Sequence, residues 1–491
     1  MSLKLSGAKL FSLLSKVDLQ EWDALEYFVA GRVSAERFGP LQALLGYCRQ
    51  WHPDFPAERM RKDDLHRLIY PGKAYREKRI RQLFSDLSGL TEAFFAVQVA
   101  LQQEEWQERL LLEGLAARKL DSHFLQRSQR RIARRQAEAV QGPEHYRAMY
   151  EDLQRQTAHR FVVDYAAAVA NADRAQQYFD QWFVLVKLRY YCDWFSRKRF
   201  LSGQKELPLF ESVWEYLETE LRERGFLFDL YYLLLRLLRD DERSLFPEIR
   251  DRLWAHQPAM EEADQRIVLQ CLLNYCLRMV QQLGGTYVRT SWELYRFGIE
   301  KKILIVDGRL TDLTFTNIVV NGADLKEFAW TWEFVERYAG CLDPEVRQTA
   351  VALARAYLHY KQDQFDEVVG LLRDVEYMAD SYKIRGRSLL LRTYYELFCR
   401  QGNYPLELFS HLEAFRRFLQ RNRVLTDARK AGYLQLISLL RRMVRLQMRE
   451  YRGHRAWEKL AAEVQASPGV VAQPWLLEKI AIARGTGSPG K

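Results

Sequence analysis

Between residues 349 and 419 the apolar positions recur at helical spacing in two tandem pairs. Ala350, Leu353, Ala354, Tyr357 and Leu358 fall on one face, as an amphipathic helix requires. A polar turn, Lys361-Gln362-Asp363-Gln364, is followed by a second apolar face at Phe365, Val368, Val369 and Leu372. The pattern returns at Leu391, Tyr394 and Tyr395, turns at Gln401-Gly402-Asn403, and continues through Tyr404, Leu408 and Leu412. Phe365 and Tyr404 are equivalent anchors 39 residues apart, and Phe328 precedes Phe365 by 37. Such a period belongs to helical-repeat proteins, in which one pair cannot bury its apolar face alone and stacking completes the core.

The same periodicity predicts helices through the rest of the chain and divides it into five segments. Residues 1–100 read as a basic N-terminal helical domain. Its helices are expected over 9–16, 19–30, 35–50, 61–68 and 75–98, with Asp18 capping the second and Glu21 as its capping-box partner. Residues 101–142 read as one long charged helical connector, ended by Gly142-Pro143. Residues 143–263 form aromatic-rich hairpins, with Tyr178, Phe179, Trp182, Phe183, Tyr190, Tyr191, Trp194 and Phe195 in one helix; a stripe of this kind is far more often core than ligand cage. Residues 264–465 carry the helical repeats. Residues 466–491 comprise a linker, a short amphipathic helix over 475–482 that could cap the last groove, and a tail expected to be disordered.

Composition agrees with an all-α fold. The chain has 491 residues with only 25 Gly and 13 Pro, few for a protein built on tight β turns. The six Cys form no CxxC pair and sit mostly in apolar helical patterns; buried free thiols in a reducing cytoplasm are expected. No apolar run is long enough for a membrane span. The formal charge of +10 permits an anionic partner without requiring one.

Two candidate surfaces follow. In the first, Lys73, Arg76, Lys78, Arg79 and Arg81 lie at the start of the 75–98 helix, behind a short helix and the Tyr70-Pro71-Gly72 turn. This layout has the outline of a helix-turn-helix, so nucleic acid is a possible partner, although a solvated basic face is the commoner meaning of such a cluster. In the second, Tyr357, Arg392 and Tyr394 in the repeats are candidate contacts for a protein or peptide. The Arg-rich segment 127–135 is read mainly as a solvated helix face, with phosphate or acidic-protein binding the minority reading; in 416–423 and 441–452 part of the excess is structural, because cations favour a helix C-terminus. The chain lacks a Walker A loop, HExxH and GxSxG, and its nine His stand at no metal-ligand spacing. No catalytic residue, cofactor or metal is therefore assigned.

Several segments carry a family resemblance: His52-Pro53-Asp54-Phe55; Leu68-Ile69-Tyr70-Pro71-Gly72-Lys73-Ala74-Tyr75 with Arg79-Ile80-Arg81; Phe315-Thr316-Asn317-Ile318-Val319; Lys326-Glu327-Phe328; and Phe415 through Asn422. In these the chain resembles a family of all-helical bacterial proteins, widespread in the Bacteroidetes, to which no activity is attached. Its C-terminal half is similar to tetratricopeptide-like repeats, but Lys361-Gln362-Asp363 stands where such repeats usually carry Gly or Ala. The expected fold is thus an all-α, tetratricopeptide-like helical hairpin array (an α-solenoid) with an N-terminal helical domain. The expected role is a non-enzymatic, cytoplasmic scaffold or adaptor. A nucleic-acid-binding regulator and an unrecognised enzyme or defence-system component are the alternatives, and the oligomeric state is left open.

Overall fold

The computed structural model describes residues 9–56, 61–197, 207–222, 225–283, 286–373, 380–402, 404–423, 425–448, 454–467 and 469–485. Among the described residues the chain is helical without a strand; Val306 and Arg309 form an isolated bridge around a turn. No helix among them is long and apolar enough to cross a membrane. Arg59, Phe200, Gly284-Gly285, Asn403, Arg449, Arg452, Pro468 and the 486–491 tail lie outside the described residues.

The helices group into two compact units, residues 1–137 with 151–173, and residues 138–150 with 174–491. The first unit begins with α1 (Lys9–Leu14), α2 (Trp22–Ala30), α3 (Ala35–Arg49), α4 (Lys62–Ile69) and α5 (Glu77–Gln102). Trp22, Leu25, Leu44, Cys48, Leu65, Ile80, Leu87 and Phe94 form their core. The helix expected from 19 starts at Trp22, and Asp18 does not cap it. Glu21 instead accepts a hydrogen bond from the Asp18 backbone N–H at 3.1 Å, across the turn before the helix.

The 101–142 segment is not one helix. Lys119 adopts a left-handed φ of 57° and splits it into α6 (Glu104–Ala117) and α7 (Asp121–Gln136), packed on each other. That hairpin changes the meaning of the arginine cluster. Arg131 and Arg135, one turn apart on α7, are buried rather than solvated. Both donate to Asp152 Oδ2, from Nε at 2.7 and 2.9 Å. Asp152 lies on α8 (Pro143–Val163), which, like α9 (Tyr165–Arg197), runs from one unit into the other.

The second unit continues with α10 (Phe210–Tyr216), α11 (Phe226–Asp240), α12 (Phe246–His256), α13 (Glu262–Leu283), α14 (Thr286–Glu300), α15 (Asp312–Asp324), α16 (Phe328–Tyr338), α17 (Pro344–Lys361), α18 (Phe365–Leu372), α19 (Asp380–Gln401), α20 (Pro405–Arg421), α21 (Asp427–Met448), α22 (His454–Gln465) and α23 (Gln473–Ala483). One continuous apolar core runs from Tyr146 to Ile480. Each helix from α15 to α21 packs on its chain neighbour; α15 also packs on α17, and α17 on α19. First helices of successive pairs therefore touch one another.

The period seen in the sequence marks a physical position. Phe328 and Phe365 open α16 and α18, and Tyr404 immediately precedes α20. Two residues before each anchor the backbone turns left-handed, at Lys326 (φ 62°), Asp363 (φ 60°) and Gly402 (φ 68°). Gly takes this conformation without steric cost and Asp tolerates it better than most residues, so Lys361-Gln362-Asp363 makes the same turn that Gly makes in the next pair. A second close approach seats the C-terminal helix. A Cβ on Gly432 of α21 would fall on the Gly469 carbonyl oxygen, and the Val471 N–H donates to the Gly432 carbonyl at 3.4 Å.

The cysteines divide. Cys48, Cys192, Cys271 and Cys276 are buried free thiols, Cys341 is half-buried and Cys399 is exposed. Burial pushes the Cys48, Cys271 and Cys276 thiols up to about 12, which makes them poor nucleophiles.

Candidate functional site

Several charges on these helices hold one helix pair to the next. Arg278 meets Asp241 at 2.7 Å, Lys361 meets Asp324 at 2.7 Å and Arg400 meets Asp363 at 2.8 Å. In each case a cation on a first helix reaches an acid at the turn of the preceding pair. Partly exposed pairs of this kind contribute about 0–1 kcal/mol apiece, so they set register more than they supply stability.

Tyr357 belongs to this system. Its hydroxyl donates to Asp324 Oδ1 at 3.1 Å, and burial, then the Asp324 carboxylate, push its ionisation well up. One turn on, Tyr360 donates to Glu396 at 3.4 Å. Glu396 is buried on α19 and also receives Trp475 Nε1 at 3.1 Å and Lys479 at 2.7 Å, both from α23. The α23 helix is therefore fastened to α19 by a buried acid, with Leu476 and Ile480 packed beneath it.

Arg392 behaves differently. Its guanidinium lies 5.3 Å from the Tyr360 ring centroid, while its Nε is buried without a hydrogen-bond partner. Arg385 is seven residues earlier on α19, two turns away on the same face, and Arg429 opens α21. All three act on the Tyr433 hydroxyl: burial raises its ionisation, and Arg429, Arg385 and Arg392 oppose that rise. Among the described residues none of the three has a carboxylate at salt-bridge distance, whereas Arg416 and Arg441 share Glu413 and Arg442 holds Glu463. Three uncommitted guanidiniums beside Tyr357, Tyr360 and Tyr433 can accept carboxylates in bidentate geometry and stack on planar groups.

The structure brings Tyr357 and Arg392 together but puts Tyr394 elsewhere. Tyr394 is buried against the second helix of its own pair, with ring centroids 6.1 Å from Tyr404 and 5.6 Å from His411. Two steps along a helix turn a side chain by roughly 200°, so Arg392 and Tyr394 face opposite ways. Arg385, Arg429 and Tyr433 were not singled out in the sequence; the seven-residue spacing of Arg385 and Arg392 was the available signal, and Arg429 joins them only through the α19–α20–α21 packing.

His411 is the titrating group of this region. Its Nε2 donates to the Arg387 carbonyl at 2.8 Å, which places a proton on Nε2. Burial pushes it down to about 4, against the partial support of that hydrogen bond. Between its unfolded value, about 6.5, and about 4 the unfolded chain holds the extra proton. Stability therefore falls as pH falls through this window, by about 1–2 kcal/mol at pH 5. Thermal melts at pH 7 and pH 5 should show a smaller pH-dependent drop in His411→Gln than in the parent chain.

At the N-terminal surface Lys73, Arg76, Lys78 and Arg81 are exposed and Arg79 is half-buried. Arg81 is paired with Glu77 at 2.9 Å, and Lys73 and Arg79 lie 5.9 and 5.5 Å from the Tyr70 ring centroid. The Tyr70–Arg76 connection is longer than the ~3–4-residue turn of a helix-turn-helix. Arg61 and Arg67 add to this surface and share Asp64 at 4.0 and 3.3 Å, so three of its cations are engaged by acids.

A cavity of about 140 Å³ lies between Tyr146, Phe226, Phe228, His256, Met260 and Glu261. Its acid is already engaged, since Glu261 accepts the backbone N–H groups of Glu144 and His145 at 2.7 and 3.3 Å and pairs with Arg189 at 2.8 Å. Among the described residues no cluster of three or more His, Cys, Asp or Glu could hold a metal ion. Comparison of the chain with family models, curated proteins and solved structures finds no match.

Proposed function

We propose that the chain is a non-enzymatic helical-repeat adaptor, its pairs stacked as a tetratricopeptide-like array, and that the face formed by α17, α19 and the start of α21 binds an acidic polypeptide segment. The observation that carries this reading is the set of guanidiniums of Arg385, Arg392 and Arg429 around Tyr433, none of which meets a described carboxylate, with the Arg392 Nε buried and unpartnered. Arg and Tyr are the side chains that most often dominate binding energy at interfaces, and a buried donor without a partner gains most when a ligand supplies one. The nucleic-acid reading of the N-terminal surface is the weaker one, because several of its cations are paired with acids or lie against the Tyr70 ring.

The test is a peptide array of Asp/Glu-rich sequences and their Asn/Gln counterparts, probed with the full chain. Acidic members should bind, and Arg385→Glu with Arg392→Glu should weaken them by about tenfold or more, about 1.4 kcal/mol, with the melting temperature little changed. Equal binding of acidic and amide peptides, or binding indifferent to the double substitution, overturns the proposal.

A further inference from the structure

Helix α9 is apolar on two sides. From residue 184 onward one side supplies Val184, Leu185, Leu188, Tyr191 and Cys192 to the core, all buried. The other side leaves Phe179, Val186 and Tyr190 exposed at 39%, 44% and 53%, with half-buried Phe183 between them. Solvated helix faces normally carry charge, and an apolar stripe of this length marks an interaction surface.

The spacing says what kind of surface. Gln176, Phe179, Phe183, Val186, Tyr190 and Asp193 follow one another at steps of three, four, three, four and three. That is the seam of a coiled coil, polar at both ends and apolar through its four central positions. Phe179 and Phe183 are already stacked, with centroids 6.4 Å apart and planes at 14°. Lys187 lies along the flank, 5.7 Å from the Phe183 ring centroid, and Asp180 flanks the same edge seven residues earlier.

We infer that this face is the contact between two copies of the chain, joined as an antiparallel helix pair centred between Phe183 and Val186. The seam is self-complementary in that order alone. Phe183 then meets Val186 of the second copy, Phe179 meets Tyr190, and Gln176 can donate to Asp193. On the flank Asp180 faces Lys187 of the other copy, twice by symmetry, as a two-fold contact requires. The parallel order would set Asp193 against Asp193, and like charges on a seam work against pairing.

Sedimentation equilibrium of the full chain at moderate salt tests this. The parent chain should be a dimer. Val186→Glu should raise the dimer dissociation constant by at least about tenfold, with an unchanged far-UV spectrum and melting curve. Asp180→Lys and Lys187→Asp should each weaken the dimer, and the two combined should restore it, an outcome that loss of packing or misfolding would not give. A parent chain that is monomeric at tens of micromolar, a dimer indifferent to Val186→Glu, or a double exchange no better than the single ones each overturns the inference.

Discussion

Asp264→Ala should lower the stability of the second unit by about 3–5 kcal/mol. The Asp264 side chain is fully buried on α13 and holds two buried partners, Arg189 and Tyr231. Arg189 donates to it from Nε at 2.6 Å and Nη2 at 2.7 Å, and the Tyr231 hydroxyl donates at 2.5 Å. Burial alone would lower the affinity of Arg189 for its proton; the Asp264 hydrogen bonds and charge reverse that. Tyr231, fully buried, is pushed well up by burial and then by the same carboxylate. Alanine leaves a guanidinium with only Glu261 and a buried phenol with no acceptor, and stranding a buried charge costs more than the pair contributes. Denaturant unfolding followed by far-UV circular dichroism reads the loss. The combined change Asp264→Leu, Arg189→Met and Tyr231→Phe removes all the polar groups together and should recover most of it. A combined variant no more stable than Asp264→Ala would show that the network itself, rather than the stranded charge, supplies the stability.

The companion effect lies in the first unit. Asp152→Ala should also cost about 3–5 kcal/mol, because two arginines lose their shared acceptor at once. Arg131 and Arg135 donate to Asp152 Oδ2, and Arg155 reaches Oδ1 at 3.1 Å. The remaining acid, Glu105, also pairs with both Arg131 and Arg135, but it is half exposed and its charge is screened. Arg131 Nη1 is buried without a partner even in the intact network. Hydrogen exchange of the α7 amides should accelerate strongly in Asp152→Ala and only weakly in Glu104→Ala, whose 2.6 Å pair with Arg134 is exposed on both sides. Comparable acceleration in the two variants would mean that burial of Asp152 is not what matters.

These two carboxylates show where sequence reasoning stops. Asp264 sits among Glu262, Gln265 and Arg266 in a helical stretch, and nothing local separates it from a solvated acid. Its partners are 33 and 75 residues away. The arginine run on α7 looked like a solvated face for the same reason. Two of its members point inward because the turn at Lys119 packs α7 on α6, which carries Glu105, and because α8 brings Asp152 to the same two side chains. Charge at helical spacing tells which residues share a face, but whether that face meets water or another helix is decided by packing at long range.

The aromatic helix makes the opposite case. Its rings suggested core, yet only Tyr191 is fully buried; Tyr178, Trp182, Phe183 and Phe195 pack half-buried against the core, while Tyr190 is half exposed. Apolar residues on both sides of one helix give no periodic contrast, so the sequence could not say which side the rest of the unit would cover. On α17 and α19, Tyr357 and Arg392 were legible as one surface and Tyr394 was not excluded from it, because hydropathy scores a buried ring and a groove ring alike.

By itself the sequence determined the all-helical class, most helix positions to within a few residues, and the recurrence of Phe328, Phe365 and Tyr404 at the start of second helices. Those follow from local rules: apolar spacing of 3.6, scarcity of Gly and Pro, and polar turns that tolerate a left-handed residue. The tertiary structure alone decided which charges are buried, that Arg385, Arg392 and Arg429 gather around Tyr433, and which side of α9 is left uncovered. Each of these depends on contacts between segments tens of residues apart, whose pairing is set by the fit of whole apolar faces and leaves no mark in any local window of the chain.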